Sequence, residues 1–183
     1  MSRIVRRVRQ PGVYFVTTHT WQRRALFQKD APAQILLAQI LDCRDRGFYL
    51  LHAFVIMPDH LHLLLTPAES ASLEKAVQMI KGGSAHRIRK ELRYRSPVWQ
   101  PGFHDRWIRT VEEFRARSNY IAQNPVAARI VQSALDYRWS SSCGTFRLDT
   151  GQFEGTSGAK APSFLAVDVA VETATHKAQT AAK

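Results

Sequence analysis

Between Phe54 and Leu65 the chain reads Phe-Val-Ile-Met-Pro-Asp-His-Leu-His-Leu-Leu-Leu, apolar almost throughout and interrupted only by Pro58-Asp59 and two histidines. A proline inside such a run argues against a continuous helix, and the flanking residues suit buried strands. The wider stretch from Phe48 to Thr66 therefore reads as a hairpin: one strand over Phe48 to Met57, a tight turn at Pro58-Asp59, and a second strand from His60. Side chains alternate along a strand, so His60 and His62 share one face about 7 Å apart while Leu61, Leu63 and Leu65 enter the other. One face can carry a polar or metal site and the other a core. Seven histidines in 183 residues make a chance His-x-His unsurprising, so the pair also admits a purely structural role.

A chain of 183 residues is long enough for one domain with its own core. No apolar run approaches the roughly 18 residues that span a bilayer, and the N-terminus lacks a signal peptide's apolar centre, so a cytoplasmic, nucleoid-associated protein without membrane contact is expected. Cys43 and Cys143 are the only cysteines, which suggests neither a disulfide framework nor a structural zinc site. Charge points to function: 26 Lys and Arg against 15 Asp and Glu give a formal +11 and favour a polyanionic partner. A membrane surface would call for one basic amphipathic helix. Here basic residues recur along the chain among Trp21, Tyr94, Trp99 and Trp107, an arrangement suited to phosphates and unstacked bases.

Residues 1–12 form a basic arm with Arg3, Arg6 and Arg7, ending at Pro11-Gly12. Val13 to Thr20 reads as the first strand, and Trp21 to Lys29 as a connection holding Arg23 and Arg24. A packing helix is expected from Asp30 as N-cap to Gly47. A second helical stretch, Ser70 to Arg93, should kink at Gly82-Gly83. Beyond that break His86, Arg87, Arg89, Lys90, Arg93 and Arg95 make a dense basic patch. A short fourth strand falls within Val98 to Arg109, which contains His104 and Arg106. The third helix, Val111 to Asn124, enters through Thr110 with Glu113 three residues on. Its Phe114, Ser118 and Ile121 share one side, with Glu113, Arg117, Tyr120 and Asn124 on the adjacent flank. Tyr120 and Asn124 are thus stacked neighbours just before Pro125, which ends or kinks the helix. Val126 to Leu135 should continue as helix. The domain spans residues 13–148, and 149–183 reads as a flexible tail in which Phe164 to Val171 is the one piece able to order.

The order of strand, helix, strand, strand, helix, strand, helix predicts an α+β, ferredoxin-like four-stranded antiparallel sheet with helices packed on one face. With Val55-Ile56-Met57-Pro58-Asp59-His60-Leu61-His62-Leu63-Leu64 and Asn119-Tyr120-Ile121-Ala122-Gln123-Asn124-Pro125-Val126, the sequence resembles the REP-associated tyrosine transposases. These belong to the HUH single-strand transposases, named for histidine, hydrophobic, histidine. Phe15-Val16-Thr17-Thr18, Trp99-Gln100-Pro101-Gly102-Phe103-His104-Asp105 and Trp139-Ser140-Ser141 also match, in the same order.

The resemblance implies a HUH endonuclease type of fold and a set of roles. His60 and His62 match the metal-binding pair, Tyr120 the single nucleophile, and Asn124 the polar residue completing the metal site; Asp59 stands where many relatives have Asn. A divalent metal, Mg²⁺ or Mn²⁺, is implied, with no nucleotide cofactor; histidine ligation by itself favours Mn²⁺ or another transition metal. The implied reaction cleaves and rejoins single-stranded DNA beside a hairpin through a 5′-phosphotyrosine, by a monomer with Tyr120 acting in cis, with a dimer as the alternative. Candidate DNA contacts are Arg3, Arg6 and Arg7 in the arm, Arg23 and Arg24, Arg87 and Lys90, and His104, Arg106 and Arg117. Two other classes stay open at this point: a domesticated hairpin-binding repressor, and a metal-dependent hydrolase using water.

Overall fold

The computed structural model describes residues 11–150. Arg3, Arg6 and Arg7, and the tail beyond residue 150 with its Phe164 to Val171 piece, lie outside the described residues. Four strands, β1 (Tyr14–His19), β2 (Tyr49–Met57), β3 (His60–Pro67) and β4 (His104–Trp107), form one antiparallel sheet in the order β2-β3-β1-β4. Three helices accompany it: α1 (Asp30–Asp45), α2 (Leu73–Leu92) and α3 (Val111–Ala127). This is the expected ferredoxin-like α+β architecture. The hairpin turn falls at Pro58-Asp59, and His60 opens β3.

The helices divide between the two faces, where one common face was expected. Leu61, Leu63 and Leu65 of β3 join Val16, Phe54 and Ile56 in a core closed by α1 and α2 through Leu36, Ile40, Val77 and Ile80. On the other face Val13, Val55 and Leu64 pack against Phe114 and Ile121 of α3, and against Tyr137. The physical cause lies in β2 and β3, which are apolar on both faces and leave the second face in need of cover. That second face is the one that carries His60 and His62.

Three helix boundaries differ from expectation. Asp30 is the first residue of α1, not its cap; Lys29 precedes it, and the Asp30 carboxylate pairs with Arg138. Helix α2 runs unbroken through Gly82-Gly83, and a Cβ on Gly83 would stand 2.4 Å from the side-chain amide of Gln39 on α1. The glycine serves close approach of the two helices rather than a kink. Helix α3 passes through Pro125 and stops at Ala127, where a helix to Leu135 was expected. Arg129, in the left-handed region at φ 56°, donates its N–H to Val126 O while Ile130 donates to Pro125 O, a Schellman closure that Arg makes in place of the usual glycine.

The outer edge of β2 is covered by the chain that follows α3. Ile56 N–H donates to Trp139 O at 2.9 Å, Val55 bridges Ser140, and Phe54 N–H donates to Ser141 Oγ at 3.0 Å. Asp149, expected at the start of the tail, is bound to the domain: its N–H donates to Leu51 O at 2.8 Å, and its carboxylate takes the Leu51 N–H and two bonds from Arg44. An edge strand so covered offers little template for pairing with another chain.

Candidate functional site

Register brings the site together. In β1, Phe15 pairs with Leu64, Thr17 with His62 and His19 with His60, so these β1 side chains share the face of the histidine pair. Strand β4 adds His104 opposite Thr17. The result is a continuous succession of ring contacts. Tyr120 meets His62 at 5.3 Å between centroids, His62 meets His60 at 4.7 Å, His60 meets His19 at 5.7 Å and His19 meets His104 at 6.4 Å.

Each histidine of the pair has its Nδ1 engaged. His60 Nδ1 lies 2.6 Å from Asp59 Oδ1, and an ionised carboxylate only accepts, so Nδ1 carries the proton there. His62 Nδ1 lies 2.8 Å from Thr17 Oγ1, and its ring stacks on Phe15 at 5.2 Å. Neither Nε2 has a hydrogen-bond partner among the described residues. Burial, reinforced by the neighbouring His60, His19 and Arg117, pushes the His62 pKa down to about 3, which keeps the ring neutral near pH 7. His19 is lowered too, first by burial and then by Arg23 and His60.

Helix α3 delivers the tyrosine. Thr110 caps it by accepting the Glu113 N–H at 3.2 Å, while Glu113 Oε2 accepts the Arg109 N–H at 2.9 Å. Phe114 and Ile121 anchor the buried side, as expected, and hold the adjacent flank over the histidines. Tyr120 leans edge-on against Phe15 and His62 yet keeps 44 % of its surface exposed. Arg117, one turn earlier, lies over the Phe15 ring at 5.2 Å. The progression from Arg117 over Phe15 to Tyr120 over His62 advances along β1 toward His19 and His60. Asn124, half-buried, follows Tyr120 by one more turn of α3.

The other sequence candidates scatter. Arg23 stands 3.7 Å from Asp59 Oδ2, beside His60, while Arg24 bonds Gln22 Oε1 at 3.0 Å. Arg106 on β4 pairs with Glu113 at 3.0 Å. Arg87 pairs with Glu91 on α2, and both Arg87 and Lys90 sit on the helix that covers the opposite face of the sheet. Phe15 and Thr17 entered the sequence reading only as part of a matching stretch, with no site role, and His19 not at all. Their shared spacing of two in β1 was visible, but not which strand they would oppose.

The residues present fit a divalent cation. Two imidazoles with engaged Nδ1 atoms, and with Nε2 atoms that bond to none of the described residues, are what metal-ligating histidines require. Among the described residues no group of three or more His, Cys, Asp and Glu is disposed to hold a metal, so the histidine pair would need ligands of another kind to complete a site.

A ferredoxin-like sheet with a His-x-His strand beneath a helix-borne tyrosine defines a HUH-type tyrosine protein. The chain belongs to the IS200-like transposase family, whose model matches residues 12–124. It is 28% identical over 131 residues to the REP-associated tyrosine transposase of Escherichia coli, covering 71% of this chain and 76% of that one. It is 28% identical over 151 residues to a candidate REP-associated tyrosine transposase of Haemophilus influenzae, covering 77% and 85%. Its fold matches a REP-associated tyrosine transposase solved bound to a REP hairpin, with a TM-score of 0.63 at 23% identity, covering 89% of this chain and all of the other. No helix among the described residues is long and apolar enough to cross a membrane.

Proposed function

We propose that the protein nicks and rejoins single-stranded DNA beside a hairpin, with Tyr120 as nucleophile and His60, His62 and Asn124 as ligands of a divalent cation. The observation that carries this reading is the exposed Tyr120 ring lying against His62, on the face where neither imidazole Nε2 bonds any of the described residues.

Phenolate is scarce at neutral pH, since tyrosine ionises near pH 10, and the phosphodiester under attack is itself anionic. A bound Mg²⁺ or Mn²⁺ supplies what this requires, polarising a phosphate oxygen and offsetting the charge that develops on it. The chain's own residues position the reactants. Phe15 and His62 fix the Tyr120 ring, and Arg117 stands beside it as a cation suited to the phosphate backbone. In the chemical step a bond forms between Tyr120 Oη and phosphorus while the bond from phosphorus to O3′ breaks. The phenolic proton leaves to solvent, and the departing 3′ oxygen takes one up. The phosphodiester is conserved as a tyrosyl ester, so a 3′-OH can attack it and rejoin strands without ATP.

The formal +11 charge and the hairpin named for the structural relative support a hairpin-DNA substrate. The test is incubation with end-labelled single-stranded DNA carrying hairpins, with Mn²⁺ or with chelator, on a denaturing gel. A metal-dependent covalent adduct that Tyr120→Phe abolishes without loss of DNA binding is expected. Binding with neither cleavage nor adduct would overturn the reading in favour of a binding module, and cleavage without adduct in favour of a water-using hydrolase.

A further inference from the structure

The histidine pair has two ends. Tyr120 occupies one, against His62, and at the other His60 meets His19, which meets the exposed His104. Arg23 stands at this second end. Its guanidinium lies 3.7 Å from Asp59 Oδ2, beyond hydrogen-bonding distance, while Asp59 Oδ1 is committed to His60. The Arg23 side chain is 62% exposed, so its donors remain open to a ligand.

The backbone that carries Arg23 is unusual. Gln22 and Arg23 are successive non-glycine residues in the left-handed region, at φ 55° and 52°. Such a conformation persists only where surrounding contacts impose it. Those contacts are on hand. Thr20 Oγ1 donates to Arg24 O at 2.7 Å, Thr20 N–H to Asp59 O at 2.9 Å, Trp21 N–H to Val98 O at 2.9 Å and Phe27 N–H to Pro58 O at 2.9 Å. The strained turn is thereby fastened to the Pro58-Asp59 turn that opens β3, and Arg23 is held beside His60 rather than left on a mobile loop.

In an in-line displacement the leaving oxygen departs on the side away from the nucleophile. With Tyr120 at the His62 end, the strand that leaves with the 3′-OH emerges at the His60 end, where Arg23 stands by Asp59 and the His19 ring lies between His60 and His104. After cleavage that strand has no covalent link to the protein, and rejoining requires that it be kept. Resting on the strand-transfer reading above, we propose that Arg23, together with the neighbouring pair of His19 and His104, is a phosphate-binding subsite that holds the strand ending in the free 3′-OH. The ligand is a backbone phosphodiester on the 5′ side of the cleavage position, taken by the guanidinium fork and by imidazole N–H donors. A guanidinium kept only to neutralise Asp59 would have no preference for one side of the cleavage position.

The probe is a DNA hairpin with single-stranded flanks, its flank phosphates replaced one at a time by neutral methylphosphonate. Affinity is measured in a Tyr120→Phe background with Arg23, Arg23→Ala or Arg23→Lys, and the adduct formed with Tyr120 intact maps the cleavage position. With Arg23 present, one neutralised phosphate 5′ of the cleavage position is expected to cost about tenfold in affinity. With Arg23→Ala that position becomes silent and the others keep their effect, while Arg23→Lys restores part of it. Profiles that coincide with and without Arg23, or a silent position 3′ of the cleavage site, overturn the subsite. Absence of any adduct alongside an Arg23-dependent position overturns the strand-transfer reading and leaves the phosphate contact standing.

Discussion

Thr17 Oγ1 lies 2.8 Å from His62 Nδ1, across the pairing of β1 with β3. The hydroxyl fixes the direction in which His62 presents Nε2, and that direction matters only if something binds there. Thr17→Val keeps the shape and removes the partner. Mn²⁺ affinity, read by calorimetry or electron paramagnetic resonance, should fall about tenfold or more, while Thr17→Ser keeps it. Unchanged Mn²⁺ affinity in Thr17→Val would mean that the bond serves the sheet and not the metal.

Gly82 and Gly83 are adjacent in sequence and opposite in consequence. A Cβ on Gly82 meets nothing within 4 Å, so Gly82→Ala should stabilise α2 by about 0.5–1 kcal/mol. At Gly83 the same Cβ displaces the Gln39 amide, which bonds Cys43 Sγ at 3.1 Å and Met79 O at 3.3 Å. Gly83→Ala should cost about 1–3 kcal/mol by urea denaturation, and Gln39→Ala in the same chain should recover much of that loss. Additive effects would show that the two helices do not meet through this pair.

These glycines also mark where the sequence stops being legible. Gly-Gly within a helical pattern reads as a break, because local propensity is all that a single segment displays. The reason for keeping Gly83 lies on another helix. His60, His62 and the Thr110 cap could be read because alternation and cap spacing are local rules, and Tyr120 and Asn124 because one helix flank is a local pattern. That His19 opposes His60 depends on strand register, and that α3 rather than α1 or α2 covers the second apolar face of β2 and β3 depends on how the helices connect, neither of which a single segment displays. Arg23 stood out only as charge, and its place beside Asp59 follows from a backbone turn that Gln22 and Arg23 give no compositional sign of adopting.

Stability should fall on the acid side of neutrality. His62, His52 and His19 all have pKa values lowered, each by burial first, so the folded chain resists protons that the unfolded chain takes up near pH 6.5. The unfolded state then binds more protons below that pH, and unfolding becomes easier as pH drops. Each histidine contributes at most about 1.4 kcal/mol per pH unit, for His62 over the window from 6.5 down to about 3. Urea midpoints in chelator should be level above about pH 7.5 and decline from pH 7 to 5. A flat profile between pH 7 and 5 would mean that these rings are not buried as neutral groups.

Asp149 ties the end of the described chain to β2 and α1 from 98 residues beyond Leu51, whose N–H its carboxylate accepts at 2.8 Å. Arg44 adds a two-pronged contact at 2.7 and 2.6 Å, and the Asp149 carbonyl lies 2.8 Å from His52 Nδ1. Burial opposes ionisation of Asp149, but the Arg44 and Leu51 bonds outweigh it and hold the carboxyl below its usual range. Its stabilisation is therefore present above the ordinary carboxylate pKa and is lost as pH falls through the lowered one, a window below that of the histidines. Asp149→Ala leaves the partly buried Arg44 without its main partner and should cost about 1–3 kcal/mol at pH 7. Asp149→Asn keeps an acceptor for Leu51 and should cost less, with both variants converging on the parent in acid. A uniform loss from pH 7 to 3 would instead assign the effect to packing of residues 140–149 along the β2 edge.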